Sequence, residues 1–264
     1  ALSDGSQSPE IAVEQAEIDT GNSFGVEGPV VAGVSSNLAS VLAPKTASIS
    51  NPSNTFGTGV TPQIAASGAH TCALLNTGAV NCWGNNDFGR LGNGTTVTSS
   101  VPVAVNAFIG GAAAVSITAD GSHTCAVLNT GAVNCWGHNR SGQLGNNTTV
   151  TSSVPVAVNP FIGGATAVSI TAGYFHTCAL LNTGAVNCWG QNNSGELGNG
   201  TTTSSSAPVA VSAFTDGATA VSITAGSSHT CALLNTGAVN CWGSNGFGQL
   251  GNNTNTFSSV PVAV

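Results

Sequence analysis

The sequence predicts an all-β, β-propeller-like array of four 53-residue, four-stranded blades, with an extended N-terminal arm. Three observations support this prediction. A 53-residue unit recurs four times, each unit holds two cysteines ten residues apart, and short alternating apolar runs are separated by Gly- and Asn-rich turns. Self-similarity at such a period is typical of solenoids, propellers and arrays. We expect residues 1–59 to form the arm or a linker, and the four repeats to occupy about these ranges: 60–106, 107–159, 160–212 and 213–264.

The cysteine-containing segment is the most regular part of each repeat. In the first repeat it reads HTCALLNTGAVNCWG. Two short apolar runs around Asn-Thr-Gly predict a β-hairpin with a three-residue loop and Gly at its left-handed position. In that register the two cysteines of a repeat face each other, at a Cα separation of about 4.5 Å that a disulfide can span. The predicted disulfides are Cys72–Cys82, Cys125–Cys135, Cys178–Cys188 and Cys231–Cys241.

A zinc site is the competing interpretation of these cysteines. His70, Cys72 and Cys82 would supply three ligands in the first repeat. Zinc motifs normally contain a tight C-x₂-C knuckle, which this chain lacks. The disulfide interpretation is therefore favoured, and it implies an oxidising compartment.

Three further segments are interpreted as strands of the same unit. AVSITA precedes the hairpin with alternating apolar residues, and VPVAV follows it with the same alternation. The short Leu-Gly segment between them, flanked by glycine, is interpreted as another short strand. Asn-Gly and Asn-Asn clusters mark the connections. One unit thus holds about four short strands, which is the content of a propeller blade.

The repeated pattern H-T-C-A-L-L-x-x-G-x-V-x-C-W-G-x-N-x-x-G-x-L-G-x-G-T-T resembles the regulator of chromosome condensation (RCC1) repeat, in particular its cysteine-containing secreted bacterial form. The resemblance covers about residues 60–264. It implies a β-propeller, typically of seven blades, that acts mostly as a binding scaffold; relatives include a guanine-nucleotide exchange factor and a secreted β-lactamase inhibitor. Only four repeats can be identified in this sequence. The array either closes as a small ring or is an open arc that another chain completes, and the sequence leaves both open.

Two aromatic positions recur in phase with the cysteines. The histidines either converge on a metal or anion site or are structural side chains bonded to neighbouring backbone, and the second interpretation is favoured because a repeated His is often architectural. For the tryptophans, the resemblance implies packing between blades. These residues are His70, His123, His176 and His229, and Trp83, Trp136, Trp189 and Trp242.

The N-terminal segment lacks the repeat and carries six of the ten acidic residues. It contains a strand-like alternation and a second apolar run. An acidic disordered leader, packing within its own chain, and donation of a strand to a neighbouring subunit are all open interpretations. In the last case the arm mediates self-association through Ile11, Val13, Ile18, Val30 and Val31.

Composition excludes several classes of function. Charged residues make up 5% of the chain, and three Lys and Arg stand against ten Asp and Glu. Three cations cannot form a basic patch, so no nucleic-acid partner is expected. No apolar run reaches 18 residues, so no transmembrane segment is expected. The acids form no evident acid–base pair and no G-x-S-x-G motif occurs, so we expect no enzyme activity, and neither a metal nor a cofactor.

The sequence supports two hypotheses of function. The chain begins with Ala1 and contains no Met, so we expect an extracellular or cell-surface protein whose signal has been removed. The first hypothesis is a structural or adhesive subunit that self-assembles into an extracellular filament or layer. The alternative is a monomeric secreted binding module, inhibitor-like or lectin-like, whose partner is another surface protein or a glycan. Its variable loops would supply Asn85, Asp87, Phe88, His138, Arg140, Gln191, Asn193, Ser244 and Phe247.

Overall fold

The computed structural model describes residues 59–264, which fold as four antiparallel four-stranded sheets. In each sheet the strands are neighbours in chain order. The predicted fold class is confirmed for this part of the chain. The strands of blade 1 are β1 (Gln63–Ala66), β2 (His70–Leu74), β3 (Val80–Gly84) and β4 (Ser99–Ala104). Those of blade 2 are β5 (Ala114–Asp120), β6 (His123–Leu128), β7 (Val133–Gly137) and β8 (Ser152–Ala157).

Blades 3 and 4 repeat this arrangement. Blade 3 consists of β9 (Ala167–Ala172), β10 (His176–Leu181), β11 (Val186–Gly190) and β12 (Ser205–Ala210). Blade 4 consists of β13 (Ala220–Ala225), β14 (His229–Leu234), β15 (Val239–Gly243) and β16 (Ser258–Ala263). Single 3₁₀ turns lie in the connections between blades, at Ile109–Gly111, Ile162–Gly164 and Thr215–Gly217.

The central hairpin of each blade has the register that the sequence predicts. In blade 1 Cys72 lies opposite Cys82, and the loop closes with Gly78 at a φ of 80°. That conformation is inexpensive for glycine alone. The structure contains the four predicted disulfides, each with a Cα–Cα distance of 4.1 Å.

The expectation of a strand at the Leu-Gly segment is wrong. Leu91 and Gly92 lie in a turn, because the N–H of Leu91 is donated to the side-chain oxygen of Asn86 at 2.9 Å rather than to a strand. The amide of Asn86 also donates to the carbonyl oxygens of Thr95 at 3.0 Å and Val97 at 3.1 Å. One buried Asn side chain thus holds the whole β3–β4 loop. The equivalent residues make the same bonds in the other blades: Asn139, Asn192 and Asn245.

Neighbouring blades pack through a repeated set of contacts. The first strands of adjacent blades touch one another, so they line the inner side of the array. The indole of Trp136 is fully buried and donates its N–H to the carbonyl oxygen of Arg90 in the preceding blade at 2.9 Å. It lies against Gly92, where an added Cβ would come within 2.7 Å of the indole nitrogen. Trp189 and Trp242 make the same bond, to the carbonyl oxygens of Gln143 and Glu196.

A histidine and a threonine complete each junction. Thr177 donates its hydroxyl to the carbonyl oxygen of Gln143 at 2.9 Å and lies 2.8 Å from Nε2 of His123. Since the hydroxyl proton is used, His123 must donate through Nε2–H. The sequence predicts a backbone partner for this histidine, whereas the structure shows that its partner is a threonine hydroxyl of the next blade. The same contact joins His70 to Thr124 and His176 to Thr230.

Burial lowers the pKa of the junction histidines. The pKa of His123 falls to about 3, first through desolvation and then through the neighbouring histidines. Its Nδ1 has no hydrogen-bond partner within residues 59–264, so a proton there would add an unsatisfied buried donor. Desolvation lowers the pKa of His70 and of His176 to about 4. These imidazoles are therefore structural and uncharged at neutral pH.

The two ends of the array are less covered than its middle. Leu180 of blade 3 is 5% exposed, whereas the equivalent Leu233 of blade 4 is 42% exposed. Trp83 of blade 1 is only half-buried, although its three counterparts are fully buried. Three junctions therefore join four blades within the described residues, as in an open arc.

The N-terminal arm, with Ile11, Val13, Ile18, Val30 and Val31, lies outside the described residues. Within residues 59–264, no helix has the length and apolar character that spanning a membrane requires.

Candidate recognition pocket

Two sets of loops emerge at the same end of the blades, because each blade is an antiparallel sheet. One set joins the first and second strands, and the other joins the third and fourth. Loops of both sets, from blades 1, 2 and 3, enclose a pocket of about 560 Å³. This volume falls within the range of ordinary small-ligand sites.

The pocket collects side chains that break the repeat. Tyr174 and Phe175 stand where blade 1 has Gly68 and Ala69, and where blade 4 has two serines. The other lining residues that differ from most repeats are Phe88, which only blade 4 matches with Phe247, and Arg90, Asp120 and His138. Residues 53 positions away from these are polar or small, so the pocket exists in one copy although its framework is repeated.

Arg90 replaces a side chain that serves its own loop in the other blades. At the equivalent position Gln143 accepts the N–H of Ser141 at 3.0 Å, and Glu196 accepts that of Ser194 at 2.8 Å. A guanidinium has no acceptor atom, so Arg90 cannot make this bond. Its guanidinium carbon lies instead 5.3 Å from the ring centre of Phe88, within the range of a cation–π contact.

The Nε of Arg90 is buried without a hydrogen-bond partner among the described residues. The residue is 6% exposed, and its Nε contacts no acceptor within residues 59–264. Burial lowers the pKa of Arg90, and the negative charge of Asp87 opposes that effect. Ser122, in the same wall, also has a buried hydroxyl without a partner among the described residues. Buried polar groups of this kind are normally satisfied, so the wall lacks a bonding partner.

Aromatic rings form the apolar part of the wall. The ring of His138 lies edge-on to Phe88, with centroids 4.6 Å apart, and 5.7 Å from Phe175. Tyr174 packs edge-on against Phe175 at 4.5 Å and is 47% exposed. Such edge contacts fix the orientation of the rings. The pocket therefore presents oriented aromatic surface to solvent.

Two titratable groups complete the wall. Nδ1 of His138 lies 2.9 Å from the Gln143 amide nitrogen, which donates to it, so His138 carries its proton on Nε2. Burial lowers the pKa of His138, as do the positive charges of Arg140 and Arg90. Burial raises the pKa of Asp120, against a hydrogen bond from the N–H of Gly121.

The structure brings together only part of the predicted loop set. Phe88 and His138 line the pocket, while Asn85 donates to Asp87 at 2.8 Å beside it. Phe247 is fully exposed on blade 4. The remaining members lie at equivalent loop positions and do not line the pocket: Arg140, Gln191, Asn193 and Ser244.

Eight of the ten lining residues were missed by the loop prediction, and four of these have charged or aromatic side chains. These four are Arg90, Asp120, Tyr174 and Phe175. The signal that finds Asp120, Tyr174 and Phe175 is the alignment of the four repeats around each histidine, where the three preceding residues vary as much as the predicted loops. Arg90 lies outside these triplets. Among the described residues, no group of three or more His, Cys, Asp or Glu side chains is placed to hold a metal.

Known sequences and structures place this fold in a family. A model of the regulator of chromosome condensation (RCC1) repeat matches residues 77–127, 130–180 and 183–233, more than half of the chain. The chain belongs to the RCC1 repeat family. A second RCC1 repeat model matches four shorter stretches: 63–90, 114–143, 167–196 and 220–249. The family resemblance read from the sequence is therefore confirmed.

Curated relatives carry RCC1-like regions in longer proteins. The ultraviolet-B receptor UVR8 of Arabidopsis thaliana is 34% identical over 202 residues, which are 76% of this chain and 45% of the receptor. The human E3 ubiquitin-protein ligase HERC2 is 30% identical over 202 residues, which are 76% of this chain and 4% of the ligase. This RCC1-repeat chain spans less than half the length of either relative.

Solved structures show the same architecture. Human WBSCR16 matches with a TM-score of 0.71 and 25% identity, over 78% of this chain and 54% of that one. Prp20p of Saccharomyces cerevisiae, described with its binding properties to Gsp1p and histones, matches with a TM-score of 0.66 and 25% identity. That match covers 76% of this chain and 49% of Prp20p. The four blades thus correspond to part of an RCC1-like propeller.

Proposed function

We propose that this chain is a non-catalytic binding module of an extracellular RCC1-like propeller, and that the pocket of blades 1–3 is its recognition site. One observation carries the proposal. Six side chains that differ from most copies of the repeat line one pocket, several of them in contact with one another, at the end of the blades where two loop sets meet. Other departures, among them Arg140 and Phe247, lie outside it.

The framework and the pocket use different side chains. Most of the repeated Asn, Thr and Trp side chains at the junctions and loops form bonds within the fold, as Asn139 and Trp136 illustrate, although Nδ1 of His123 and Oδ1 of Asn134 also lack partners within residues 59–264. Among the pocket side chains, Arg90 has an unpaired Nε, and Tyr174 is nearly half exposed. Aromatic residues and arginine are the side chains that dominate recognition sites in proteins. This division supports binding rather than stabilisation as the role of the pocket.

The relatives support the proposed binding role, and the disulfides support the proposed extracellular location. Prp20p is described by its binding of Gsp1p and histones, which makes recognition of macromolecules a precedent on this fold. Four disulfides favour an oxidising compartment, and therefore an extracellular or cell-surface location.

A loop exchange tests the proposal. Tyr174→Ser with Phe175→Ser gives blade 3 the loop Gly-Ser-Ser that blade 4 already folds at residues 226–228. The matched control is Phe257→Ser, which replaces a half-exposed aromatic outside the pocket by the serine present at the equivalent position of blade 3. Each full-length protein is immobilised and incubated with extracellular material of the producing cells, and the retained macromolecules are quantified.

The proposal predicts a partner that the unaltered protein and the Phe257→Ser variant retain equally. The loop exchange should reduce its retention at least about tenfold, since central aromatic anchors often contribute more than 1.4 kcal/mol each. Equal retention by the loop-exchanged protein, or no retained partner at all, would show that the pocket is not a recognition site.

A second candidate function is a self-assembling subunit of a filament or layer. Exposed Leu233 and Val239 on the end face of blade 4 favour it, because the equivalent Leu180 and Val186 are buried by a following blade. Light scattering over a concentration series tests it: particles should grow in the unaltered protein and remain monomeric after Leu233→Ser. Deleting residues 1–27 tests the contribution of the arm, which stays a prediction.

A further inference from the structure

We propose that the recognition pocket binds a saccharide unit, with its ring packed on the aromatic wall and its hydroxyls bonded to Arg90 and Asp120. This inference rests on the proposed function and names the ligand class of the same site. The mixture of donors and acceptors in the wall, the charges around them and the aromatic surface support it.

The wall offers donors and an acceptor that do not satisfy each other. Arg90 is a donor fork, and His138 offers Nε2–H because its Nδ1 is occupied. Asp120 is an acceptor that lines the same pocket, and within residues 59–264 it forms no ion pair with Arg90. A ligand must therefore accept from one side and donate to the other. A hydroxyl group does both, since it has one donor proton and two acceptor lone pairs.

The surrounding charges do not favour an anion. Asp87 acts on the guanidinium of Arg90, and Asp120 lies in the wall. The whole chain carries a formal net charge of −7. A carboxylate or phosphate entering the pocket would meet Asp120 in the wall and Asp87 near Arg90, and these acids offset the positive charges of Arg90 and Arg140. Binding of a neutral polyhydroxylated ligand does not depend on that balance.

The aromatic wall supplies a surface for the apolar face of a sugar ring. Tyr174 and Phe175 hold each other edge-on, and Phe88 is fixed between His138 and Arg90. Pyranose rings carry C–H groups on one face, and rigid aromatic side chains bury such area with little loss of conformational freedom. The pocket volume of about 560 Å³ accommodates one or two such rings.

The repeat supplies a conservative variant for the decisive side chain. Arg90→Gln introduces the residue that blade 2 has at the equivalent position 143. There the side-chain Oε1 of Gln143 accepts a hydrogen bond from a loop N–H. The variant therefore folds as blade 2 does, while the donor fork is lost. Arg140→Gln is the matched control, because it removes the same charge from an exposed position outside the pocket.

Nuclear magnetic resonance titration of the full-length protein tests the inference. The chain has two arginines, so the Nε–H signal of Arg90 is assigned by its loss in Arg90→Gln. The probes are the methyl glycosides of glucose, galactose, mannose and N-acetylglucosamine, with phenylacetate as the acid comparator. We expect at least one glycoside to shift the Arg90 signal saturably. Its affinity should fall at least about tenfold in Arg90→Gln and stay unchanged in Arg140→Gln.

Three outcomes would overturn the inference. They are no saturable shift with any glycoside, equal affinity in Arg90→Gln, and tighter binding of phenylacetate than of every glycoside. The retention experiment separates this failure from that of the proposed function. If the partner is lost on loop exchange but keeps binding after its glycans are removed enzymatically, the pocket recognises a protein surface. The saccharide inference then falls and the binding module stands.

Discussion

Replacing Thr177 by valine tests whether the blade junctions are held as the structure indicates. The Thr177 hydroxyl lies between Nε2 of His123 and the carbonyl oxygen of Gln143, and all three groups are buried. Valine has nearly the same volume, so the substitution removes the hydroxyl and leaves the packing almost intact. The carbonyl oxygen keeps its bond from Trp189, whereas the imidazole N–H loses its acceptor.

The expected loss of stability follows from that single orphaned donor. A buried polar group left without a partner costs about 1–3 kcal/mol, and we take about 2 kcal/mol for a neutral imidazole N–H. For a folded unit of this size, about 2 kcal/mol corresponds to a fall of roughly 4–8 °C in Tm.

Urea unfolding at pH 7 with the disulfides intact measures the loss, with tryptophan fluorescence as the signal. Thr71→Val is the matched control. Thr71 holds the same position in blade 1, is half-buried, and meets no histidine of a preceding blade within residues 59–264. We expect this control to change the free energy of unfolding by less than about 0.5 kcal/mol. If the two variants lose equal stability, the histidine–threonine contact does not hold the junction.

Three further predictions concern the same framework. The folded-state pKa of about 4 for His70 and for His176 lies below the unfolded value of 6.5. Each histidine therefore contributes about 3 kcal/mol to the free energy of unfolding above pH 6.5, and this contribution is lost as the pH falls toward 4. A urea midpoint that stays constant over this pH range would contradict the prediction. Gly145→Ala should destabilise far more than Gly163→Ala, because both have φ near 70° but only the first would place a Cβ within 2.7 Å of the Trp189 indole; equal Tm values would refute the steric argument. Reducing the four disulfides, each closing a short loop, should cost about 2–3 kcal/mol apiece, and an unchanged thermal melt in reductant would contradict this.

Local pattern was enough to predict the hairpins and their disulfides. The Asn-Thr-Gly loop sets the register, and the register alone decides that Cys72 faces Cys82. The same use of local pattern led to the wrong prediction of a strand at the Leu-Gly segment. Its glycine and apolar residue look like a strand end, but the buried side chain of Asn86 takes the backbone N–H that a strand would need. Apolar alternation gives no information about a hydrogen bond from a side chain five residues away, so it could not predict this turn.

The pocket could be predicted only in part, because it forms between blades. Phe88 stood out as a loop residue that differs between repeats. Arg90 did not, since it follows the variable stretch and its carbonyl oxygen belongs to the framework bond with Trp136. Tyr174 lies 84 positions later in the chain than Arg90. The two residues line the same pocket because of the way three blades are arranged. Sequence spacing does not encode that arrangement.

The uniform chemistry of the junctions has a consequence for how the gene can change. Each of the three junctions within residues 59–264 uses the same indole-to-carbonyl and imidazole-to-hydroxyl bonds between residues of adjacent blades. Recombination between near-identical repeats inserts or deletes whole 53-residue units, and the new boundary then joins surfaces that already fit. Blade number can therefore vary between descendants in whole steps without a new interface. The pocket is spread over three successive units, so only events outside those units leave it intact.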